Sequence, residues 1–460
     1  MPTEHFDLVI VGAGSGNTIP DDRFVDVNMA IIEKAEFGGT CLNRGCVPSK
    51  MFVYSAEVAE IVKHAATFGV EATFGGSDWI AIRDRVFGRI DPIPPAGEDY
   101  REGLDNTTVI KGHATFVEPG VLAVDDRRIT ADKIVLCVGS RPFVPPIPGL
   151  ADIDYHTSDS IMRLDRFPEH LVIIGAGVIA AEMGHVFDGL GAKVTIITRG
   201  SGLLSGEDEE IHERFTEVSR RRFDILTHST GLTVETRGDG FTIHGTSADA
   251  GEFSVDADTM LVATGRTPNS DTIGAATAGI AVDEAGRVVV NGRLETNVPG
   301  IWAFGDLSAH MPLKHLANAE ARVIAHNVLN PDDPIEVDYG HYPRATFGSP
   351  SVASVGMNEQ QLRSEGVPYC IGRRDYGDTA YGWAIEDTTS FAKVLASSST
   401  GHILGAHIMG PHASTVIQPL IQAMAFGTTA RALASEVIYI HPALSEVVEN
   451  ALLDLPLMNE

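Results

Sequence analysis

The sequence predicts an α/β fold of two parallel-sheet units followed by an α+β C-terminal domain, and three observations carry that reading. A β-branched run at residues 6–11 ends directly in the glycine turn Gly12-Ala-Gly14. The same pattern returns at residues 171–174, which end in Gly175-Ala-Gly177. From about residue 337 the texture changes to strands such as Phe391-Ala-Lys-Val-Leu-Ala, ahead of a helical stretch at 414–426. Apolar runs that stop at a glycine turn mark buried parallel strands. A run of strands followed by helices marks an α+β arrangement.

Composition narrows the class further. With 460 residues and 43% apolar content the chain can form two to four domains, each with its own core. There are 34 Lys+Arg against 62 Asp+Glu, a formal charge of −28. So acidic a chain has no general attraction for nucleic acid or anionic lipid. Four cysteines in this length exclude a secreted disulfide scaffold. Residues 1–14 lack the basic and apolar regions of a signal peptide, and no apolar run is long enough to span a membrane. A cytoplasmic location is the expectation.

Taken in order, the first unit opens on a strand and the turn Gly12-Ala-Gly14-Ser15-Gly16. Such glycines let the backbone approach a pyrophosphate, whose charge is favoured at the N-terminus of a following helix. Asn17 stands where a third glycine is usual. The next strand, residues 29–33, ends in Glu33, a carboxylate placed to accept hydrogen bonds from both hydroxyls of an adenosine ribose. The proline-rich run 141–148 closes this segment. In the second unit Gly175, Gly177 and Ala180 form the corresponding Rossmann-like turn. Its second strand ends in Thr198-Arg199 instead of an acid, and an arginine there can pair with a 2′-phosphate. This favours NADPH over NADH. Residues 260–268 close the second unit. The expected domain limits are 1–150, 151–269, 270–336 and 337–460, the first and third segments forming one domain.

Residues 38–50 read Gly38-Gly39-Thr40-Cys41-Leu42-Asn43-Arg44-Gly45-Cys46-Val47-Pro48-Ser49-Lys50. Two cysteines five apart could be half a zinc site, but no second Cys or His pair follows at ligand spacing. They could be inert buried thiols. Their place just after a nucleotide-binding βαβ unit argues for a redox dithiol beside a cofactor.

This motif resembles the signature of the flavin-dependent pyridine nucleotide–disulfide oxidoreductases, the family of glutathione reductase and dihydrolipoamide dehydrogenase. Further segments extend the resemblance over the whole chain: Ala263-Thr-Gly265-Arg266-Thr-Pro268, Ile301-Trp-Ala-Phe-Gly305-Asp306, Leu313-Lys-His315-Leu-Ala317 and His441-Pro-Ala-Leu-Ser-Glu446. The resemblance implies FAD held by Gly12, Gly14, Ser15, Gly16, Glu33, Gly39, Thr40, Gly139, Asp306 and the loop from Leu313 to Ala317. It implies NADPH held by Gly175, Gly177, Ala180, Thr198, Arg199 and Gly265. It also implies a disulfide between Cys41, the interchange thiol, and Cys46, the sulfur nearer the flavin. Lys50 and Glu182 resemble the family's ion pair near flavin N5. His441, oriented by Glu446, would protonate the leaving thiol from the partner subunit of a homodimer.

Finer segments, among them Gly14-Ser-Gly16-Asn17, Gly97-Glu-Asp-Tyr-Arg101 and residues 375–384, are similar to the branch of the family that reduces mycothione, a sugar–inositol disulfide. The resemblance therefore implies a small-molecule disulfide as substrate; a sugar–inositol substrate calls for hydroxyl partners and aromatic faces, so Tyr54, Tyr381 and Trp383 are either its contacts or core and interface residues. Two departures stand out. Val178 replaces the tyrosine gate of glutathione reductases, and Ser205 stands where a second phosphate-binding arginine would be. No metal site is expected, and Cys137 reads as an inert core thiol.

Overall fold

The structure, a computed structural model, describes residues 3–459. The first unit is a seven-stranded sheet. Four parallel strands run in the order Thr107–Lys111, Met29–Glu33, Thr3–Val11, Arg127–Leu136. The last of these is long enough to hold two partners on its far edge. Its first half pairs with the antiparallel strand Val121–Val124, and its second half with the parallel strand Ile301–Ala303. The chain thus leaves this sheet and returns to it some 165 residues later, as the two-part expectation requires. Leu8, Val9 and Ile10 are all fully buried because both faces of the sheet are covered, one by Phe24, Phe304 and Ile324, the other by Ile110, Phe116 and Ile280. That double burial explains a continuous apolar run instead of an alternating one.

The second unit repeats the plan. Its parallel strands run Asp224–Leu226, Lys193–Ile197, His170–Ile174, Thr259–Val262, and a three-stranded meander over 230–257 packs beside them. The two chain crossings between units, Ser140–Pro142 and Arg266–Pro268, pair antiparallel as a two-stranded ribbon. The C-terminal domain is a five-stranded antiparallel sheet, Pro343–Thr346, Val352–Gly356, Ile403–Met409, Phe391–Ser397, Tyr369–Asp375, with helices including Gln418–Ala425 and Glu446–Leu453 against it. Among the described residues no helix is long and apolar enough to cross a membrane.

Two helices set the site. Cys46–His64 and Val178–Leu190 cross so closely that a Cβ on Gly189 would lie 2.8 Å from the Ala56 Cβ. Only glycine permits that approach, and it brings Lys50 beside Glu182.

Two expectations are corrected. The first glycine turn does not lead into an α-helix. A single 3-10 turn, Ser15–Thr18, is followed by another at Asp22–Phe24 before the next strand begins. Pro20 lacks an N–H and disfavours helical backbone before it, and Asp21 accepts the Arg23 N–H to open the second turn. The segment after Leu313 is not a loop but the start of the helix Lys314–Leu329.

Candidate active site

Both glycine turns are pressed against the end of a neighbouring strand. Gly12 has φ of +109°, and a Cβ there would sit 2.5 Å from the Cys137 carbonyl oxygen. Gly175 has φ of +126°, with the Ala263 carbonyl oxygen 2.2 Å from the same virtual atom. A side chain at either position would push the turn off its sheet. Cys137 has a second part here. Its thiol donates to the Val11 and Gly12 carbonyls at 3.1 Å, sits under Gly16, and the residue lines the cleft; burial pushes the thiol far up in pKa. It is therefore a support of the turn as well as an inert thiol. Glu33 is buried, and its two oxygens accept the Ala13 and Ala35 amides at 2.7 and 2.8 Å. Each oxygen keeps a lone pair for a further donor in the cleft.

Cys41 and Cys46 form a disulfide, with Cα atoms 4.7 Å apart. Cys41 lies in the short helix Gly39–Arg44, and Cys46 is the first residue of the 19-residue helix that follows. The link is tight: a Cβ on Gly45 would be 2.8 Å from the Thr40 carbonyl oxygen. Buried Asn43 donates to the Phe37 carbonyl at 2.9 Å and pins the approach. Cys46 thus sits at a helix N-terminus, a position that favours negative charge on sulfur.

One turn further on, the Lys50 ammonium donates to both Glu182 oxygens at 2.8 Å and lies 4.6 Å from the Phe347 ring centroid. Glu182 is buried and also accepts the Phe347 amide at 3.1 Å. Residues from all three domains therefore meet at this pair. Such a pair contributes little net stability but fixes position, since losing one partner leaves a buried charge unmatched.

On the opposite side Gly177 opens the helix Val178–Leu190. Thr198 is buried and accepts the Gly200 amide at 3.1 Å, whereas Arg199 is exposed into the cleft with no carboxylate within 4 Å among the described residues. Ser205 and the half-exposed Val178 line the same stretch. Asp306 accepts from Ser140 Oγ at 2.6 Å, and Arg266 clasps Ser140 through both side chain and carbonyl. The crossing ribbon thereby holds the aspartate.

A single cleft of about 2000 Å³ joins these parts. Gly12, Gly14, Ser15, Glu33, Gly39, Thr40, Cys41, Cys46, Lys50, Gly139, Asp306, Leu313 and Ala317 line one part of it; Gly175, Gly177, Glu182, Thr198, Arg199 and Gly265 line another. Its volume exceeds that of a usual single-ligand pocket and suits two dinucleotides end to end. Gly139, Gly177 and Gly265 have nothing within 4 Å where a Cβ would be, so the cradle is open at their backbones. Gly16 and Ala180 are buried behind the turns and do not line it.

His441 and Glu446 are absent from the cleft. They form their own pair, Nδ1 to Oε1 at 2.6 Å, with the Ala443 amide on the other carboxylate oxygen at 3.0 Å. The imidazole is 71% exposed. Within one chain it is not brought to the disulfide.

Three residues were given no individual role by the sequence. Glu320 is fully buried and accepts the Gly305 amide and the Tyr339 hydroxyl, both at 2.8 Å, which fixes the turn before Asp306. Lys314 reaches Ser15 Oγ at 2.9 Å, and Arg101 holds Asn17. Each is a charged residue, a type that is mostly exposed unless it is paired. Only the unusual Asn17 hinted that something else braces the first turn.

Comparison with known proteins agrees with this geometry. Residues 6–322 match the family model described as pyridine nucleotide-disulphide oxidoreductase, and 342–452 match the dimerisation domain of the same family. Mycothione reductase of Mycobacterium tuberculosis is 45% identical over 98% of this chain and 100% of its own length. Dihydrolipoyl dehydrogenase of Chlamydia muridarum is 31% identical over 99% and 98%. Among solved structures, the HOCl-induced flavoprotein disulfide reductase RclA from Escherichia coli superposes with a TM-score of 0.85 at 26% identity, covering 97% of this chain and 99% of that one.

Proposed function

The chain belongs to the pyridine nucleotide-disulphide oxidoreductases, and within that family we propose that it reduces mycothione to its thiol at Cys41–Cys46, with electrons from NADPH carried through FAD. The 45% identity to mycothione reductase along the whole chain is the observation that carries this substrate. FAD held there would supply the two-electron redox chemistry that links NADPH to the disulfide.

The residues divide the remaining work. Gly12, Gly14, Ser15, Gly39, Thr40, Gly139, Asp306, Leu313 and Ala317 would hold FAD, with Glu33 as the acceptor for its ribose hydroxyls and Gly16 backing the turn. Gly175, Gly177, Thr198, Arg199 and Gly265 hold NADPH, with Ala180 packed beneath. Lys50 and Glu182 keep a fixed charge pair one helical turn from Cys46. Once the disulfide is reduced, Cys41 attacks one sulfur of the substrate disulfide and the substrate S–S bond breaks. The departing thiolate takes its proton from His441, whose imidazole Glu446 orients. Cys46 then attacks Cys41, the second thiol leaves, and the Cys41–Cys46 bond closes. One NADPH and one proton thus convert one disulfide into two thiols.

Because His441 stands apart from the cleft in its own chain, it acts at the disulfide of the other protomer in a homodimer formed through residues 342–452. Steady-state rates with NADPH and NADH against mycothione, glutathione disulfide and lipoamide test the assignment. NADPH with mycothione is expected to be the fastest pair. Fast turnover of lipoamide with a nicotinamide cofactor, and none of mycothione, would overturn it.

A further inference from the structure

The two nucleotide turns share their glycine geometry but not what lies behind it. In the second unit a 13-residue helix begins at Val178, directly after Gly177. Its unpaired N–H groups and dipole present a positive end to a diphosphate. In the first unit a lone 3-10 turn, Ser15–Thr18, stands in that place. A turn so short has almost no aligned dipole.

Two cations flank this turn instead, Lys314 on the cleft side and Arg101 bonded to Asn17 and Pro20. The Lys314 ammonium, half-buried and lining the cleft, lies 2.9 Å from Ser15 Oγ. Burial pushes its pKa below the ordinary lysine value, the mark of a cation short of an anion. Arg101 is 8% exposed. Its Nε donates to Asn17 Oδ1 at 2.8 Å, and Nη2 donates to the carbonyls of Asn17 at 2.7 Å and Pro20 at 3.2 Å. Among the described residues neither cation has a carboxylate within 4 Å. Lys393, the other buried Lys or Arg, is held by Asp208 at 2.9 Å and Glu359 at 2.6 Å. In a chain with 62 acids and a charge of −28, an unmatched buried cation is the exception.

We propose that Lys314 is a ligand of the FAD diphosphate and that Arg101 is a positioning residue holding the Ser15–Thr18 turn for it, the two replacing the helix this unit lacks. The proposal rests on the assignment of FAD to the first turn.

The test is the rate of FAD release from purified full-length holoenzyme, followed by flavin fluorescence as NaCl rises from about 0.05 to 0.5 M. Lys314→Met is expected to release FAD about tenfold to a hundredfold faster at low salt. Its rate should also rise less steeply with salt, because one ionic contact is gone. Lys314→Arg should restore retention and slope. Arg101→Lys keeps the charge but loses the fork on Asn17 and Pro20, so it should release FAD faster with the wild-type salt slope. If Arg101→Lys does not fold, Asn17→Ala removes one acceptor and carries the same expectation. A Lys314→Met enzyme with wild-type rate and slope overturns the Lys314 assignment. Wild-type retention in the variant that weakens the Arg101 hold overturns the other. A wild-type protein that binds no FAD overturns the flavin assignment itself, and is told apart by that result.

Discussion

The disulfide end of the cleft and the His441–Glu446 corner are both preassembled, yet they differ in every physical respect. Cys41, Cys46, Lys50 and Glu182 are fixed by close helix contact, a buried carboxylate and a tight glycine link. His441 and Glu446 are joined by one short hydrogen bond, and the imidazole lies in the open. That exposure is what the proposed role of His441, donating a proton at the other protomer's disulfide, requires. If the proposed cross-subunit role of His441 holds, folding completes the disulfide half of the site and association completes the other.

The largest test of that contrast is Cys41→Ser. We expect disulfide reduction to fall by at least about 10⁴-fold while NADPH still bleaches the flavin in a stopped-flow trace. A variant retaining full reductase activity would reassign the nucleophile. His441→Gln should cost about 10²- to 10⁴-fold in turnover and flatten the pH–rate profile, again without altering flavin reduction. Glu446→Gln should be milder, about tenfold, the cost of losing an orienting partner.

Glu446 also gives a pH sign. The His441 hydrogen bond, helped by the Ala443 amide, holds its carboxyl below the ordinary glutamate value of 4.5. A depressed carboxylate stabilises the fold above its unfolded pKa and loses that contribution as pH falls through the folded one. Melting curves below about pH 4.5 should therefore show a smaller acid loss in Glu446→Gln than in wild type. The smallest effect is the sharpest. Mixing Cys41→Ser with His441→Gln subunits under exchange should recover about a quarter of wild-type activity, since half the dimers then carry one complete site. No recovery in exchanged dimers would place both halves of each site on one chain.

How much of this could be read from the residues varies with the type of signal. The strands ending at Gly12 and Gly175 were legible because double burial leaves a continuous apolar run. The Lys50–Glu182 pair spans 132 positions, and no local pattern links them; only the family resemblance did. The missing helix after Gly16 was announced by Pro20, a signal overridden by the expectation attached to the glycines. Lys314, Arg101 and Glu320 were illegible because a charged residue reads as surface until its neighbours are known. Their burial is decided by segments elsewhere in the chain, such as Asn17 for Arg101 and Tyr339 for Glu320.

The crossing ribbon has a consequence for how such a molecule changes over time. Ser140–Pro142 and Arg266–Pro268 lie side by side, so the chain enters and leaves the second unit through one doorway. That unit is thus a cartridge plugged into the first sheet. It can be lengthened or trimmed without cutting a single strand of the first sheet. The Arg266–Ser140–Asp306 clasp ties the doorway to the turn that carries Asp306.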